Sequence, residues 1–445
     1  MKTKTCLSFA SSAVAIYTAF LVSLTCVTYA PSAWAEGPVP GTPQPQGKPA
    51  GGGFGFGLSI DLGALIKAVQ GGNEEKYASP DTTKLPQYEP RQILLSWQSE
   101  QPAQQEQVQA LLVASGGKVL SQSNLLNLGI SIAAVIFDTQ AQADQALVAL
   151  QAASPKVTVD RHAIAYPMQT SAGAKGKQYA LELLKAQTPA QTRVQTAVVV
   201  GVIDTELANA DGLATASFKA KRMFADSDKP ASTDHGSGVA AILAAKSDAG
   251  FSGLAQGVHL RAAGVMREVS PGVNATNTLL VAQALDWLVS ENAQVINLSL
   301  GSAPDAVLAA AINKATAQGV VLVAAAGNGG SAAAPSYPAA YPGVIAVTAI
   351  DANKQLYTRA NRGAYVALAA PGVDVWVPVG KGKYMSGTSF AAPFVAAAIA
   401  QKLAANPLPK TPQATQTLIK ILCADALPLS ATNPSPEFGC GLMQL

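Results

Sequence analysis

At 445 residues, 49% apolar and only 13% charged, the chain is long enough for two or three domains and apolar enough for a large buried core. Its net charge of +3 and the lack of any Lys/Arg block interleaved with aromatics argue against a nucleic-acid partner. The three histidines, His162, His235 and His259, are too scattered for a metal-ligand spacing, which argues against a zinc enzyme.

In chain order, Lys2 and Lys4 precede an uncharged, largely apolar run that ends Ser32-Ala33-Trp34-Ala35. A basic start, an apolar middle and an Ala-x-Ala end predict a secretory signal peptide over residues 1–35 and a secreted or periplasmic product; the alternative is an uncleaved membrane anchor. Cys6 and Cys26 fall in this leader. Cys423 and Cys440 remain, and in an oxidising compartment they are expected to form one disulfide, the alternative being two free thiols. Residues 36–90 hold a Pro/Gly-rich linker to about residue 57 and then an ambiguous stretch in which Leu58 to Val69 has the look of a short helix.

From Arg91 the pattern sharpens. Ile93–Trp97 reads as a strand, Gln104–Ala114 as a helix, Lys118–Gln122 and Ile130–Phe137 as strands, Gln140–Ala153 as a helix and Val157–Val159 as a strand. The order β-α-β-β-α-β over 91–168 predicts a small ferredoxin-like α+β sandwich, which alone says nothing about function. Residues 169–176 are small and polar, as exposed linkers are.

The remainder, 177–445, alternates continuous apolar runs with helical stretches. Runs at 196–203, 260–265, 295–300, 320–325 and 344–349 have the composition of strands buried on both faces, and 279–290 and 306–318 are helical. Such alternation predicts a doubly wound, mainly parallel α/β sheet. Reactive residues in such sheets gather at the carboxyl ends of the strands, which is where Asp204 falls. His235 opens a helix in His-Gly-Ser-Gly-Val-Ala-Ala, and Ser389 opens another in Gly-Thr-Ser-Phe-Ala-Ala-Pro, with Pro393 expected in its first turn. A serine hydroxyl is nearly inert until a base takes its proton; a neutral imidazole does this, and a buried carboxylate holds the imidazole in the required tautomer. A helix N-terminus at Ser389 and the side chain of Asn328, in Ala-Ala-Gly-Asn-Gly, supply donors for an oxyanion.

The motifs at 202–205, 235–238, 325–328 and 387–393, in the order Asp, His, Ser, resemble those of the subtilisin-like serine proteases over about residues 180–445. The resemblance implies an acyl-enzyme on Ser389, with His235 as base and Asp204 orienting it. It implies that Ser299, Leu300 and Gly301 pair with the main chain of a polypeptide substrate, flanked on the other side near 270–273. Ala326, Gly327 and the region near Ser336 would line the primary specificity pocket; no acid stands there, so a neutral or apolar residue is expected before the scissile bond. It further implies that 91–168 is a pro-domain acting as an intramolecular inhibitor, self-cleaved within 166–176, in a protein expected to be a monomer. No cofactor is implied; calcium, common in such proteins, cannot be placed, since the stretch 246–253 holds a single acid, Asp248. One position departs from the family pattern: Glu206 stands where glycine is usual, and an extra carboxylate there would favour the charged imidazole. Two other readings stay open, a peptide-binding protein that does not cut and a peptide ligase or cyclase that resolves the acyl-enzyme with an amine. His162 and His259 read as surface or structurally satisfied histidines, and Asp234 as a cap or surface charge.

Overall fold

The apolar runs of the C-terminal part assemble into one seven-stranded sheet. In the computed structural model, which describes residues 84–99, 102–153, 156–167, 170–171, 179–185, 194, 197–208, 210–247 and 251–445, this sheet follows a small N-terminal lobe. The leader, the linker and the expected helix at Leu58–Val69 lie outside the described residues.

The lobe runs β1 (Tyr88–Gln98), α1 (Pro102–Ser115), β2 (Lys118–Leu125), β3 (Ile130–Ile136), α2 (Gln140–Ala153) and β4 (Thr158–Pro167). Its strands lie in the order β2-β3-β1-β4, all antiparallel, so each helix crosses back over one face. β3 is apolar at every position but Ser131 because both its faces are covered. Ala133 and Val135 join the lobe's own core with Val108, Leu112 and Leu150, whereas Ile132 and Ala134 belong to the cluster that holds Leu279, Leu285 and Leu308 of the larger domain. The sequence places the end of β4 at Val159, but the strand runs eight residues further, because edges from the larger domain supply partners for its backbone.

Beyond it come β5 (Thr170–Ser171), α3 (Tyr179–Leu183), β6 (Val199–Asp204), β7 (Ser217–Arg222), α4 (Asp234–Ala244), β8 (His259–Gly264), the hairpin β9 (Arg267–Ser270) and β10 (Val273–Asn277), and α5 (Thr278–Ser290). Next are β11 (Val295–Leu298), β12 (Leu300–Ser302), α6 (Ala306–Ala317), β13 (Val321–Ala325), β14 (Val344–Ile350) and β15 (Val366–Pro371). A second hairpin, β16 (Val375–Val377) and β17 (Lys383–Ser386), leads into α7 (Thr388–Ala405), and α8 (Ala414–Asp425) follows. The large sheet has the order β15-β14-β13-β11-β6-β8-β7 with every pair parallel. From β6 the chain winds to β8 and β7 on one side, then returns to β11 and beyond on the other. The carboxyl ends of β6 and β11 therefore border the crevice where an open α/β sheet binds ligands.

α7 is the apolar axis of one layer. It is long and apolar enough to cross a membrane, yet 78% of that stretch is buried inside the protein. Pro393 lies six residues into this helix and not in its first turn as its sequence context suggests. Its ring removes the N–H that would bond to the Ser389 carbonyl, and that carbonyl instead accepts the Ser299 hydroxyl at 2.8 Å.

The domain contact is polar as well as apolar. Asp286 on α5 accepts the backbone N–H groups of Asn127 and Leu128 at 2.8 and 3.0 Å, and Asp160 of the lobe accepts from Ala306 N at the start of α6 at 2.7 Å. Asp305 caps α6 through Val307 N and Leu308 N, and its other oxygen accepts from Ala163 N of β4 and from Thr278 Oγ1. Burial pushes its carboxyl up to about 6. His162 on the same strand is not a satisfied histidine: it is buried, Nδ1 meets Gln92 Oε1 at 3.0 Å, and Nε2 has no hydrogen-bond partner. Burial pushes its imidazole down to about 4, with the Arg267 cation acting the same way.

Cys423 on α8 and Cys440 form a disulfide across 17 positions, tying that helix to a C-terminal segment whose Leu442 bridges Ala369 of β15. Its loss in a Cys423→Ser/Cys440→Ser double variant should lower the stability of the larger domain by about 3 kcal/mol in denaturant unfolding. A depressed histidine stabilises above its unfolded value of 6.5 and loses that contribution as pH falls toward about 4, while the raised Asp305 acts with opposite sign over part of this window. Protection of β4 amides from hydrogen exchange should therefore drop more steeply between pH 6.5 and 4 in the wild type than in His162→Leu; parallel curves would remove His162 from the account.

Candidate active site

Asp204 is the last residue of β6, inside the strand and not beyond it, and it is 1% exposed. Its Oδ1 accepts from Thr205 N and lies 2.6 Å from Nδ1 of His235, the second residue of α4. A second link fixes that helix to the strand end: Gly236 N donates to Thr205 Oγ1 at 2.9 Å. A side chain at 236 would sit 2.5 Å from the Thr205 carbonyl, so the approach that brings imidazole to carboxylate needs glycine there. The His235 ring packs against Phe390 with centroids 5.2 Å apart, and its Nε2 is buried without a partner.

Ser389 is the second residue of α7, and Gly387 ahead of it turns the chain with φ 145°, in the region that favours glycine. The Ser389 hydroxyl donates to the carbonyl of Ser299 at 3.3 Å, while the Ser299 hydroxyl, which accepts from Asn297 Nδ2 at 2.9 Å, donates back to the Ser389 carbonyl. The run expected as one strand over 295–300 is accordingly two, β11 and β12. Ser299 at the break spends its side chain on α7.

Asn328 follows β13. Its Oδ1 accepts from both the backbone N and the hydroxyl of Thr388, at 3.1 and 2.9 Å, which leaves Nδ2 buried and without a partner. An amide held by its oxygen presents its N–H2 as the only unused donor. Nothing in the sequence singles out Thr388 for this positioning role beyond its place next to Ser389. Gly327 N donates to the same Thr388 hydroxyl at 3.2 Å, Ala326 O accepts from Tyr365, and Ser336 Oγ is buried without a partner. These residues carry no formal charge.

Leu300 and Gly301 lie on β12, which pairs with β4 of the lobe: Leu300 opposite Pro167, Gly301 opposite Tyr166, Ser302 opposite Ala165. On its other side β4 pairs with Thr276 and Asn277 of β10; the stretch 270–273 expected to flank it forms the hairpin end instead. The lobe's last strand is thus sandwiched between two edges of the larger domain.

Glu206 is not an unbalanced charge. Arg222 holds it with two bonds, Nε to Oε1 at 3.0 Å and Nη2 to Oε2 at 2.8 Å, and the same guanidinium lies 5.2 Å above the Phe224 ring. Asp234, next to His235, forms an ion pair with Lys383 of β17. Among the described residues no three His, Cys, Asp or Glu side chains converge to hold a metal, and the stretch suggested for calcium is described only in part.

A profile of the subtilase family matches residues 195–441, more than half of the chain: the protein belongs to the subtilases and is a subtilisin-like serine peptidase. It is 34% identical to subtilisin DY of Bacillus licheniformis over 277 residues, 60% of this chain and 96% of that one. It is 31% identical to the minor extracellular protease Epr of Bacillus subtilis (strain 168) over 251 residues, 56% of this chain and 38% of that one. Among solved structures, fervidolysin from Fervidobacterium pennivorans, a keratinolytic enzyme related to subtilisin, superposes with TM-score 0.66 at 23% identity over 81% of this chain and 61% of its own.

The Glu206–Arg222 pair predicts two opposite shifts. Arg222→Gln leaves a carboxylate two residues from Asp204 uncompensated, and the acid-side limb of peptidase activity should move to higher pH; Glu206→Gln leaves the guanidinium and should move it lower. Both shifts should shrink as salt is raised. Shifts of the same sign in pH profiles of kcat/KM would show that the pair does not act through its charge.

Proposed function

We propose that the chain is an exported serine endopeptidase made as a self-processing zymogen, in which Ser389 attacks, His235 takes the proton and Asp204 orients the imidazole. The observation that carries this reading is a pair of buried, unused polar atoms on the two side chains that contact the residues flanking Ser389, His235 against Phe390 and Asn328 against Thr388. With Nδ1 bonded to Asp204, His235 has only Nε2 left to accept a proton, and Asn328 has only Nδ2 left to donate.

In the reaction the Ser389 hydroxyl turns from the Ser299 carbonyl to His235 Nε2, gives up its proton there, and Oγ adds to the substrate carbonyl. Charge builds on the carbonyl oxygen, which takes hydrogen bonds from Asn328 Nδ2 and from the backbone N–H of Ser389 at the start of α7. The imidazolium, stabilised by Asp204, returns the proton to the departing amine, leaving an ester on Ser389 that water hydrolyses by the same steps. Polypeptide substrates lie along β12 and β10, where β4 lies here, so the lobe at 91–168 is its own chain's inhibitor and 177–445 the mature enzyme.

Export rests on the leader at 1–35 and on the disulfide between Cys423 and Cys440; the relative Epr carries the description extracellular. The non-cutting alternative drew its support from Glu206, and pairing with Arg222 removes that ground.

A fluorophosphonate probe should label the matured protein at Ser389, and failure to label it would defeat this function. Asn328→Ala should lower kcat by about 100- to 1000-fold with little change in KM, a range borrowed from the equivalent donor in subtilisin itself. A loss confined to KM would assign Asn328 to ground-state binding.

A further inference from the structure

We propose that Asn297 is a positioning residue for the peptidase step: through Ser299 it fixes the first turn of α7, and with it the Ser389 hydroxyl and the Ser389 N–H, without touching substrate. This rests on the function proposed above and adds to it a residue buried in the central sheet.

Packing alone gives no reason for an asparagine at this place. β11 reads Val-Ile-Asn-Leu and is buried throughout. Ile296 and Leu298 belong to one apolar cluster. Val295 belongs to the other, with Phe390 and Phe394 of α7 and with Val202 and Val323, which pair with Asn297 on its two sides. Asn297 thus stands in an apolar row on the face that α7 covers, 0% exposed, and its Oδ1 has no hydrogen-bond partner. A buried, unpaired carbonyl oxygen costs stability, and a leucine of similar shape would not carry that cost. What the amide supplies lies at its other end, where Nδ2 donates to the Ser299 hydroxyl at 2.9 Å.

That donation sets a direction. A serine hydroxyl has one proton and two lone pairs; with Asn297 on a lone pair, the proton is left for the Ser389 carbonyl at 2.8 Å. Bonds in such a chain polarise and strengthen one another. The carbonyl is open to this partner because Pro393, four residues on, has no N–H with which to close the helical bond. Any other residue at 393 would let α7 satisfy Ser389 from within, and its first turn would be indifferent to β11. With proline there, the turn is tied to the sheet at two points, Thr388 to Asn328 beyond β13 and Ser389 to Ser299 beyond β11. Without the second tie the turn can tilt, and the reactive oxygen and its neighbouring N–H lose their aim.

The full-length chain is expressed as wild type and as Asn297→Leu, matured with immobilised wild-type enzyme where it does not mature unaided, and its active sites are counted with a fluorophosphonate. Asn297→Leu should lower kcat about tenfold with KM within about twofold, while the thermal midpoint stays level or rises. A part played only in packing would move activity and stability together. The acid-side limb of kcat/KM should stay where it is, since no charge changes. Ser299→Ala should give a similar loss of kcat, and the double variant no greater one. In a Pro393→Ala background, where position 393 again offers an N–H to the Ser389 carbonyl, Asn297→Leu should cost less than about twofold. An unchanged kcat in Asn297→Leu, a loss that tracks a lower thermal midpoint, a shifted acid limb, or a penalty that persists in full in the Pro393→Ala background each overturns the inference and leaves the peptidase reading standing. A wild type that neither takes the probe nor cuts peptides overturns that reading instead.

Discussion

The buried hydrogen bond between Asp204 and His235 is the constraint on which the rest of the site depends. Both groups are almost wholly withdrawn from water, and a carboxylate so placed is tolerable only when paired and bonded. The pairing is obtained by bringing the end of β6 against the start of α4, which in turn requires glycine at 236 and the Thr205 hydroxyl as a second tether. Removing one partner leaves a buried group without compensation, a defect that costs about 3–5 kcal/mol where such pairs have been broken. Strand, helix and catalytic geometry are for that reason one cooperative arrangement.

The N-terminal lobe occupies the two edges along which a substrate is proposed to lie. Its β4 completes the hydrogen bonding of β10 and β12, edges that would otherwise present unpaired backbone groups, and its sheet covers the apolar faces of α5 and α6. Carboxylates from both sides, Asp160, Asp286 and Asp305, receive backbone N–H groups across the junction. The lobe is thus held by main-chain pairing at the cleft and by apolar burial away from it, two contributions that respond differently to salt and pH.

Much of this was legible in the sequence because it was written in periodicity and in short motifs. The alternation of apolar runs with helices defines the parallel sheet, and the β-α-β-β-α-β order of the lobe follows from strands and helices of ordinary length. The residues of the site come to the ends of strands and helices as the motifs predict, and Cys423 pairs with Cys440. What could not be read depended on partners distant in the chain. β4 extends past Val159 only because β10 and β12 flank it. Pro393 sits deep in a helix only because Ser299 satisfies the carbonyl it frees. Glu206 is a paired charge only because Arg222 of β7 folds against it. Periodicity carries no information on such cross-chain satisfaction. Strands such as β7, at the edge of the large sheet, and β17, short and half polar, leave no apolar run to detect.

The exchange between Ser299 and Ser389 has a wider consequence. Each hydroxyl donates to the other residue's carbonyl, and the two bonds rivet the start of the edge strand β12 to the start of α7. Any slip of that edge carries the Ser389 hydroxyl with it, so the strand that pairs with β12 keeps a fixed offset from the head of the helix.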